Sequence, residues 1–371
     1  MDSHLRRIEQ SRALSRREFL RVAASAGAVG AGAVMLGACG SDDGKAPSAD
    51  TPGAVVDPPP ETTTIRLAKA FPTCPIPLQV AGLFLPAEGF TDVQYVKDTG
   101  GDHGAKQTAA GEIDISMSIL SSLTTAADRG DPLVLLAGVH PTCFDVFAGE
   151  RVQSLRDLKG KRIGVFSTDA TNPPYTFIAT LLTHVGLGHE VEFVVVPDAL
   201  DAIAQLKAGT IDAWVSFPPF SAYIRANNIG HIILDGIADT PWSQYFCCMA
   251  TGNKNFVEKH PAATKRALRA ILKATDLCAR EPERAARYLV DTGYTQGYAD
   301  TPFPQDYDSM LHTIIHMQYG SWREFNPDDT VRFFALRLKE AGLINGTPEA
   351  LIARATDWRY LNEIKRELGV A

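Results

Sequence analysis

Thiols, hydroxyls and aromatic rings, rather than paired carboxylates or basic patches, are the groups in this sequence whose types and spacing could do chemistry. His140, Cys143, Cys247 and Cys248 make one set. Imidazole and thiolate are the soft donors that zinc and iron sites use. Buried cysteine serves equally well as a small hydrophobe, so the set reads both ways. A second group is five short runs: Phe71-Pro72-Thr73-Cys74-Pro75-Ile76, Ser118-Ile119-Leu120-Ser121, His140-Pro141-Thr142-Cys143, Ser167-Thr168-Asp169-Ala170-Thr171-Asn172 and Ser216-Phe217-Pro218-Pro219. They hold hydroxyls, an amide, thiols and a ring, but no Arg or Lys. Hydroxyls and backbone N–H groups at a helix start can hold an anion without a cation. Ser167, Thr168, Thr171 and Asn172 have that composition, directly before Pro173-Pro174. Asp169 in the same run counts against an anion unless it points to solvent. Phe217 and Trp242 offer ring faces to a neutral heteroaromatic guest. The competing readings are plain: Ser118 and Ser121 as helix caps, His140 as a core histidine, Trp242 as hinge packing. The sequence has no Gly-x-Ser-x-Gly, no His-Glu-x-x-His and no phosphate-binding loop. Asp114 and Asp212 sit at equivalent strand starts and read as structural.

The elements that must position these groups repeat. Ile65-Arg66-Leu67-Ala68 lies 98 residues before Ile163-Gly164-Val165-Phe166, and Gly111-Glu112-Ile113-Asp114 lies 98 before Gly209-Thr210-Ile211-Asp212. Each half reads strand, helix, strand, helix ended by Gly, strand. Gly111 and Gly209 suit the left-handed position that ends a helix. Alternating β and α elements imply a mostly parallel sheet flanked by helices, and two such sheets imply two similar lobes. Strands are expected near 64–70, 92–96, 113–117 and 133–138, and again near 162–166, 191–196, 212–216 and 231–234. Cys143–Ala148 reads as a strand leaving the first lobe and Tyr245–Ala250 as one returning, which makes a two-stranded hinge. Ligands in such sheets bind beyond the carboxyl ends of the strands, where the five runs lie. From 254 onward the pattern is helical. Pro282, Pro327 and Pro348 stand at first-turn positions, with Asn326 and Thr347 as caps. Trp358, Tyr360, Leu361 and Ile364 read as core.

The 371 residues are 45% hydrophobic and 21% charged, which suits a globular protein. Residues 1–38 hold six Arg against three acids, while the rest carries 30 basic and 40 acidic residues. A body that acidic is a poor partner for nucleic acid. Ser15-Arg16-Arg17-Glu18-Phe19-Leu20 ahead of a weakly apolar run to Ala38 reads as a twin-arginine export signal. Leu36-Gly37-Ala38-Cys39 resembles a lipobox, with Cys39 as the acylated residue. The expected organisation is signal peptide 1–38, flexible tether 39–63, lobe one from 64–145 and 246–371, and lobe two from 146–245. The body is then exported and lipid-anchored on the outer face of the cell membrane. The five remaining cysteines are odd in number, and no disulfide framework is assigned.

Ala110-Gly111-Glu112-Ile113-Asp114-Ile115, Ser154-Leu155-Arg156-Asp157-Leu158-Lys159-Gly160-Lys161-Arg162-Ile163-Gly164-Val165 and Ala208-Gly209-Thr210-Ile211-Asp212-Ala213 carry a family likeness. Over about residues 62–368 the chain resembles the substrate-binding components of nitrate/sulfonate/taurine-type ABC importers, the NMT1-like group that shares its fold with thiamine-pyrimidine synthases. The resemblance implies a two-lobed periplasmic-binding-protein fold of type II and a monomer that closes about its hinge on a small solute. It implies an ABC permease and ATPase as partners, with no catalysis, cofactor or metal. The expected ligand-binding residues are Thr73, Cys74, Ser118, Ser121, His140, Ser167, Thr168, Thr171, Asn172, Phe217 and Trp242. Two other readings stand beside it: a synthase-like or metal-binding protein using His140, Cys143, Cys247 and Cys248, and a ligand-sensing lipoprotein without transport.

Overall fold

The computed structural model describes residues 57–70, 74–99, 101–296, 303 and 305–370. The export signal, Cys39, most of the tether and Thr73 lie outside the described residues.

Among the described residues ten strands form two five-stranded mixed sheets. In chain order the first runs β1 (Thr64–Lys69), α1 (Ile76–Val80), β2 (Asp92–Lys97), α2 (Ala105–Ala110), β3 (Ile115–Ile119), α3 (Leu120–Arg129) and β4 (Leu133–Pro141). The chain then crosses to β5 (Asp145–Ala148), β6 (Arg162–Val165), α4 (Pro173–His184), β7 (Glu192–Val195), α5 (Ala199–Ala208), β8 (Ala213–Ser216), α6 (Phe220–Ala226) and β9 (His231–Asp235). It returns through β10 (Phe246–Asn253). The orders are β2-β1-β3-β10-β4 and β7-β6-β8-β5-β9. β5 and β10, the expected crossing strands, each enter the other element set antiparallel to both neighbours. The α-helices that follow among the described residues are α7 (Lys254–Lys259), α8 (Pro261–Arg280), α9 (Pro282–Asp291), α10 (Tyr307–His316), α11 (Pro327–Glu340), α12 (Pro348–Ala355) and α13 (Arg359–Glu367). Among the described residues no helix is long and apolar enough to cross a membrane.

Local chemistry sets these boundaries. Gly111 and Gly209 end α2 and α5 at φ 77° and 71°, where a Cβ would be strained. Asn326 and Thr347 accept from the N–H groups of Asp328 and Ala350, ahead of prolines at the first helical position. Tyr360, Leu361 and Ile364 of α13 are buried, and the Trp358 indole donates to Asp328.

The internal repeat is real, but its register differs from the sequence expectation. Arg66 donates through its backbone N–H (2.7 Å) and Nε (3.2 Å) to Asp114 Oδ2, and its Nη1 reaches Gly111 O. Arg162 makes the same contacts with Asp212 Oδ2 (2.9 and 3.0 Å) and Gly209 O. The two aspartates lie 98 positions apart and the two arginines 96. A shift of two residues leaves every side chain of a strand on its own face, so the apolar pattern cannot reveal it. The ion pair pins the register. Asp114 is almost wholly buried whereas its Arg66 partner is about a third exposed. Asp114→Ala is expected to cost about 2–3 kcal/mol by orphaning a buried backbone donor and a guanidinium. Asp212→Ala, at a more open pair, should cost less. Urea unfolding midpoints at unchanged slope check this order.

One hydrophobic cluster runs through the first sheet, its helices and the α4 face of the second sheet. A smaller one, with Phe147, Trp214, Ile224 and Phe303, fills the opposite face of the second sheet.

Candidate functional site

The carboxyl-end segments of five strands from both sheets come together. Cys74, which follows β1, has its sulfur 3.1 Å from Cys143 Sγ beyond β4. Ser121, after β3, meets Thr176 of α4 hydroxyl to hydroxyl at 2.8 Å. Thr125 of α3 donates to Ala170 O at 2.6 Å, in the run after β6. The Phe217 ring, after β8, sits edge-on to Phe144 at 5.8 Å. Phe144 in turn packs on Phe177, and Phe177 on Trp242.

Of the residues expected at the site, Cys74, Ser118, Ser121, His140 and Trp242 are buried. Ser167, Thr171, Asn172 and Phe217 are half-buried and Thr168 is exposed. Ser118 donates to His103 O. Trp242 is set apart from the others by rings of α4 and α11, Phe177, His184 and Phe333. The 167–172 run is internally bonded. Ser167 Oγ accepts from the Asp169 N–H, and Asp169 Oδ1 accepts from the Thr171 N–H and hydroxyl. Those Thr171 bonds hold the Asp169 carboxyl below its usual range, with Lys106 and Arg129 of the first sheet's helices adding to the effect.

The start of α4 is less suited to an anion than its composition suggests. Pro173 and Pro174 have no N–H. The Tyr175 N–H goes to Asn172 Oδ1 and the Thr176 N–H to Asn172 O. The helix therefore has no open donor in its first turn. The polar side chains of this run that precede the capped turn are the Ser167, Thr168 and Thr171 hydroxyls.

A cavity of about 500 Å³ opens beside the Pro218-Pro219 turn, between α6 and α10. Pro219, Ala222, Tyr223 and Phe303 give it an apolar wall, and Arg225 and His316 a polar one. Its size suits a small organic ligand. Arg225 Nη2 donates to Asp145 Oδ2 at 2.9 Å and lies 3.5 Å from Asp235. Burial pushes the Asp145 carboxyl up to about 6 even though Arg225 pulls it down. Burial, helped by Arg225, pushes His316 down to about 4. The sequence reading passed over Arg225, His312 and His316. The available signal was two histidines four apart on one helix face.

The thiol set also gathers, in a composition different from the one expected. Cys143 Sγ is 3.6 Å from Cys247 Sγ as well as 3.1 Å from Cys74. Cys74, His140 and Cys248 place one donor atom each within 4.8 Å of the other two. All five described cysteines are free thiols. The Cys143 and Cys248 thiols bonded to its sulfur hold Cys74 well below the ordinary thiol value, with His140 adding to this. Burial works against a charged His140 ring, but the Cys74 sulfur beside it outweighs that and raises it.

Structural comparison gives the fold a context. The alkanesulfonate-binding protein SsuA from Xanthomonas axonopodis pv. citri, solved with MOPS, is similar at 16% identity over 80% of this chain and 99% of its own, TM-score 0.63. The periplasmic nitrate-binding protein NrtA from Synechocystis PCC 6803 is similar at 18% identity over 84% and 90%, TM-score 0.63. A Candida albicans gene product described as having the generic periplasmic binding protein fold is similar at 14% identity over 79% and 96%, TM-score 0.59. At such identities the likeness carries the fold, which is the periplasmic-binding-protein fold expected from the sequence. No curated protein matches the sequence. Residues 58–290, well over half of the chain, match the profile of one family, and the chain belongs to it: the NMT1-like family.

Proposed function

We propose that the chain is the extracytoplasmic solute-binding component of an ABC importer, tethered through acylated Cys39, and that it hands a small organic solute to a membrane permease driven by an ATPase. The observation that carries this reading is the meeting of strand-end segments from both sheets, through Ser121–Thr176, Thr125–Ala170 and Phe144–Phe217. Among the described residues two antiparallel strands, β5 and β10, exchange between the sheets. A guest touching both sides stabilises the closed arrangement alone, so its differential affinity shifts the population. Moving the balance from 1:99 to 99:1 takes about 5.5 kcal/mol.

Binding falls to Ser167, Thr168 and Thr171 at the rim and to Phe217 as a ring wall. The cavity beside Pro218-Pro219, next in sequence to Phe217, offers room for an apolar body. The closed first turn of α4 weighs against a bare inorganic anion. An aromatic or alkyl sulfonate, a carboxylic acid or a heteroaromatic compound fits better. The names of the alkanesulfonate- and nitrate-binding proteins of similar fold support an anionic head group.

The test is thermal unfolding of the purified protein against nitrate, taurine, alkyl and aryl sulfonates, aromatic acids and pyrimidines. A ligand at 100 times its Kd raises stability by about 2.7 kcal/mol. The expected result is a concentration-dependent rise with an organic sulfonate, acid or heteroaromatic compound, reduced by Phe217→Ala. No rise with any compound in the panel removes the solute-binding reading.

A further inference from the structure

The buried thiol–imidazole cluster behind the strand ends has a geometry that solute binding does not require. β1, β4 and β10 belong to one sheet. Cys74 lies just beyond β1, while His140 ends β4 and Cys248 lies on β10. His140 and Cys248 face each other in the ladder between those strands. All three side chains are essentially solvent-free.

The imidazole is set as metal-binding histidines are set. His140 Nδ1 lies 2.7 Å from Pro141 O. A carbonyl can only accept, so Nδ1 carries the proton and Nε2 presents its lone pair. That Nε2 is buried with no hydrogen-bond partner. One ring nitrogen of His140 and the Cys74 and Cys248 sulfurs lie within 4.8 Å of one another, and with Nδ1 turned to the Pro141 carbonyl, Nε2 is the nitrogen left to ligate. A lone pair set beside two sulfurs is the N/S donor group that a thiophilic cation takes. Tyr319 closes the site, its ring edge-on to His140 at 5.5 Å and its hydroxyl donating to Cys74 O.

We infer that Cys74, His140 and Cys248 form a site for a thiophilic divalent cation of the zinc type. Tetrahedral bonds of about 2.3 Å to sulfur and 2.0 Å to nitrogen put ligand atoms about 3.5–3.8 Å apart, so the cluster tightens only slightly on binding. Charge selects the ion. Two thiolates and a neutral imidazole around a divalent cation leave no net charge in a solvent-free site, whereas a monovalent ion leaves one negative charge buried. On binding, Cys74 and Cys248 give up their thiol protons to solvent, and two metal–sulfur bonds and one metal–nitrogen bond form. No electron is transferred. The set differs from His140, Cys143, Cys247 and Cys248, the four suggested by sequence. Cys143 and Cys247 lie beside the site as further sulfurs, Cys143 being 3.1 Å from Cys74. Three protein ligands leave a fourth position open to a neutral donor.

The experiment is titration of the full-length, reduced, chelator-treated protein with Co²⁺, followed by its displacement with Zn²⁺. The expected result is one ion per chain, with thiolate-to-cobalt charge-transfer absorption and the strong visible bands of a tetrahedral site. Cys74→Ser, Cys248→Ser and His140→Gln should each weaken affinity at least 10-fold. Cys278→Ser, a buried thiol on α8 outside the cluster, should leave it unchanged. Circular dichroism identifies any variant that fails to fold, and the wild-type spectrum decides the matter without variants. Absence of charge-transfer bands in the folded, reduced wild type overturns the proposal. So does isolation of a Cys74–Cys143 disulfide form that takes up no Co²⁺ after reduction, or uptake that the Cys74 and Cys248 variants do not alter. None of these outcomes depends on whether an organic solute binds.

Discussion

Arg225→Ala is expected to lower stability by about 2–3 kcal/mol at pH 7.5 and by about 1 kcal/mol or less at pH 5. The reason lies in Asp145, whose side chain is 1% exposed and whose nearest cation is Arg225. Its Oδ1 has no partner at all. Burial raises its folded pKa from 3.8 to about 6. A carboxyl raised in this way contributes its stability below its unfolded value and loses it as pH rises through the folded one. At pH 7.5 the wild type carries the charge and Arg225 partly compensates it. Without Arg225 the carboxyl pKa rises further and the group stays protonated. Protonation therefore caps the penalty. Neutralising a group of pKa about 6 at pH 7.5 costs about 2 kcal/mol, and lost packing against Phe147 adds the remainder. At pH 5 Asp145 is mostly neutral in both proteins, so only the packing loss is left. Urea unfolding at the two pH values measures the difference. In an Asp145→Asn background most of the pH-dependent part should be lost, the rest coming from His316, which Arg225 also pushes down. Equal losses at both pH values in the wild-type background would assign Arg225 a purely steric role.

Gly138→Ala should be at least as damaging, about 3 kcal/mol or more, through a different mechanism. Gly138 lies on β4 beneath the ring of Phe246 on the returning strand. A Cβ there would stand 2.2 Å from Phe246 Cδ2 and 2.3 Å from Cε2. Phe246 is itself buried and packs on Phe325, so the ring has nowhere to turn. Overpacking of a tight core ordinarily costs about 1–3 kcal/mol, and more where relaxation is blocked. Phe246→Ala alone should cost about 3–5 kcal/mol by leaving a cavity. The double variant should be less unstable than the sum of the two by more than about 1 kcal/mol, because the new methyl occupies part of that cavity. Strict additivity would mean that the Phe246 ring does not cover Gly138.

The strands were legible because half-buried and buried runs bounded by glycines and prolines leave a strong trace in sequence. The crossing strand Asp145–Ala148 fell within its expected segment for that reason, and Phe246–Asn253 overlapped its own but ran on past Ala250. The repeat register was not legible, since a two-residue slide preserves the inward face and only the Arg66–Asp114 and Arg162–Asp212 pairs fix it. At the candidate site, composition picked out the loops after the strands but not how their donors are used. Asn172 looked like an open helix entrance, yet it caps the helix itself. Cys74 was read as a cleft residue and left out of the thiol set. It stands 69 positions from Cys143 and further still from Cys248, so only the strand order brings them together. The α6–α10 cavity is of the same kind: Arg225 and His316 meet through tertiary packing that no local pattern announces.

The returning strand has a consequence for how the molecule is made. β10 lies between β3 and β4 and is buried along its whole length. A ribosome delivers β1 to β4 first, yet these cannot assemble in their final order, because the slot between β3 and β4 stays vacant until residue 253 has emerged. For all that time two strand edges are exposed and available for mispairing. Productive assembly of this sheet must therefore await more than two thirds of the 371-residue polypeptide, which leaves a long interval in which the nascent molecule is open to chaperones.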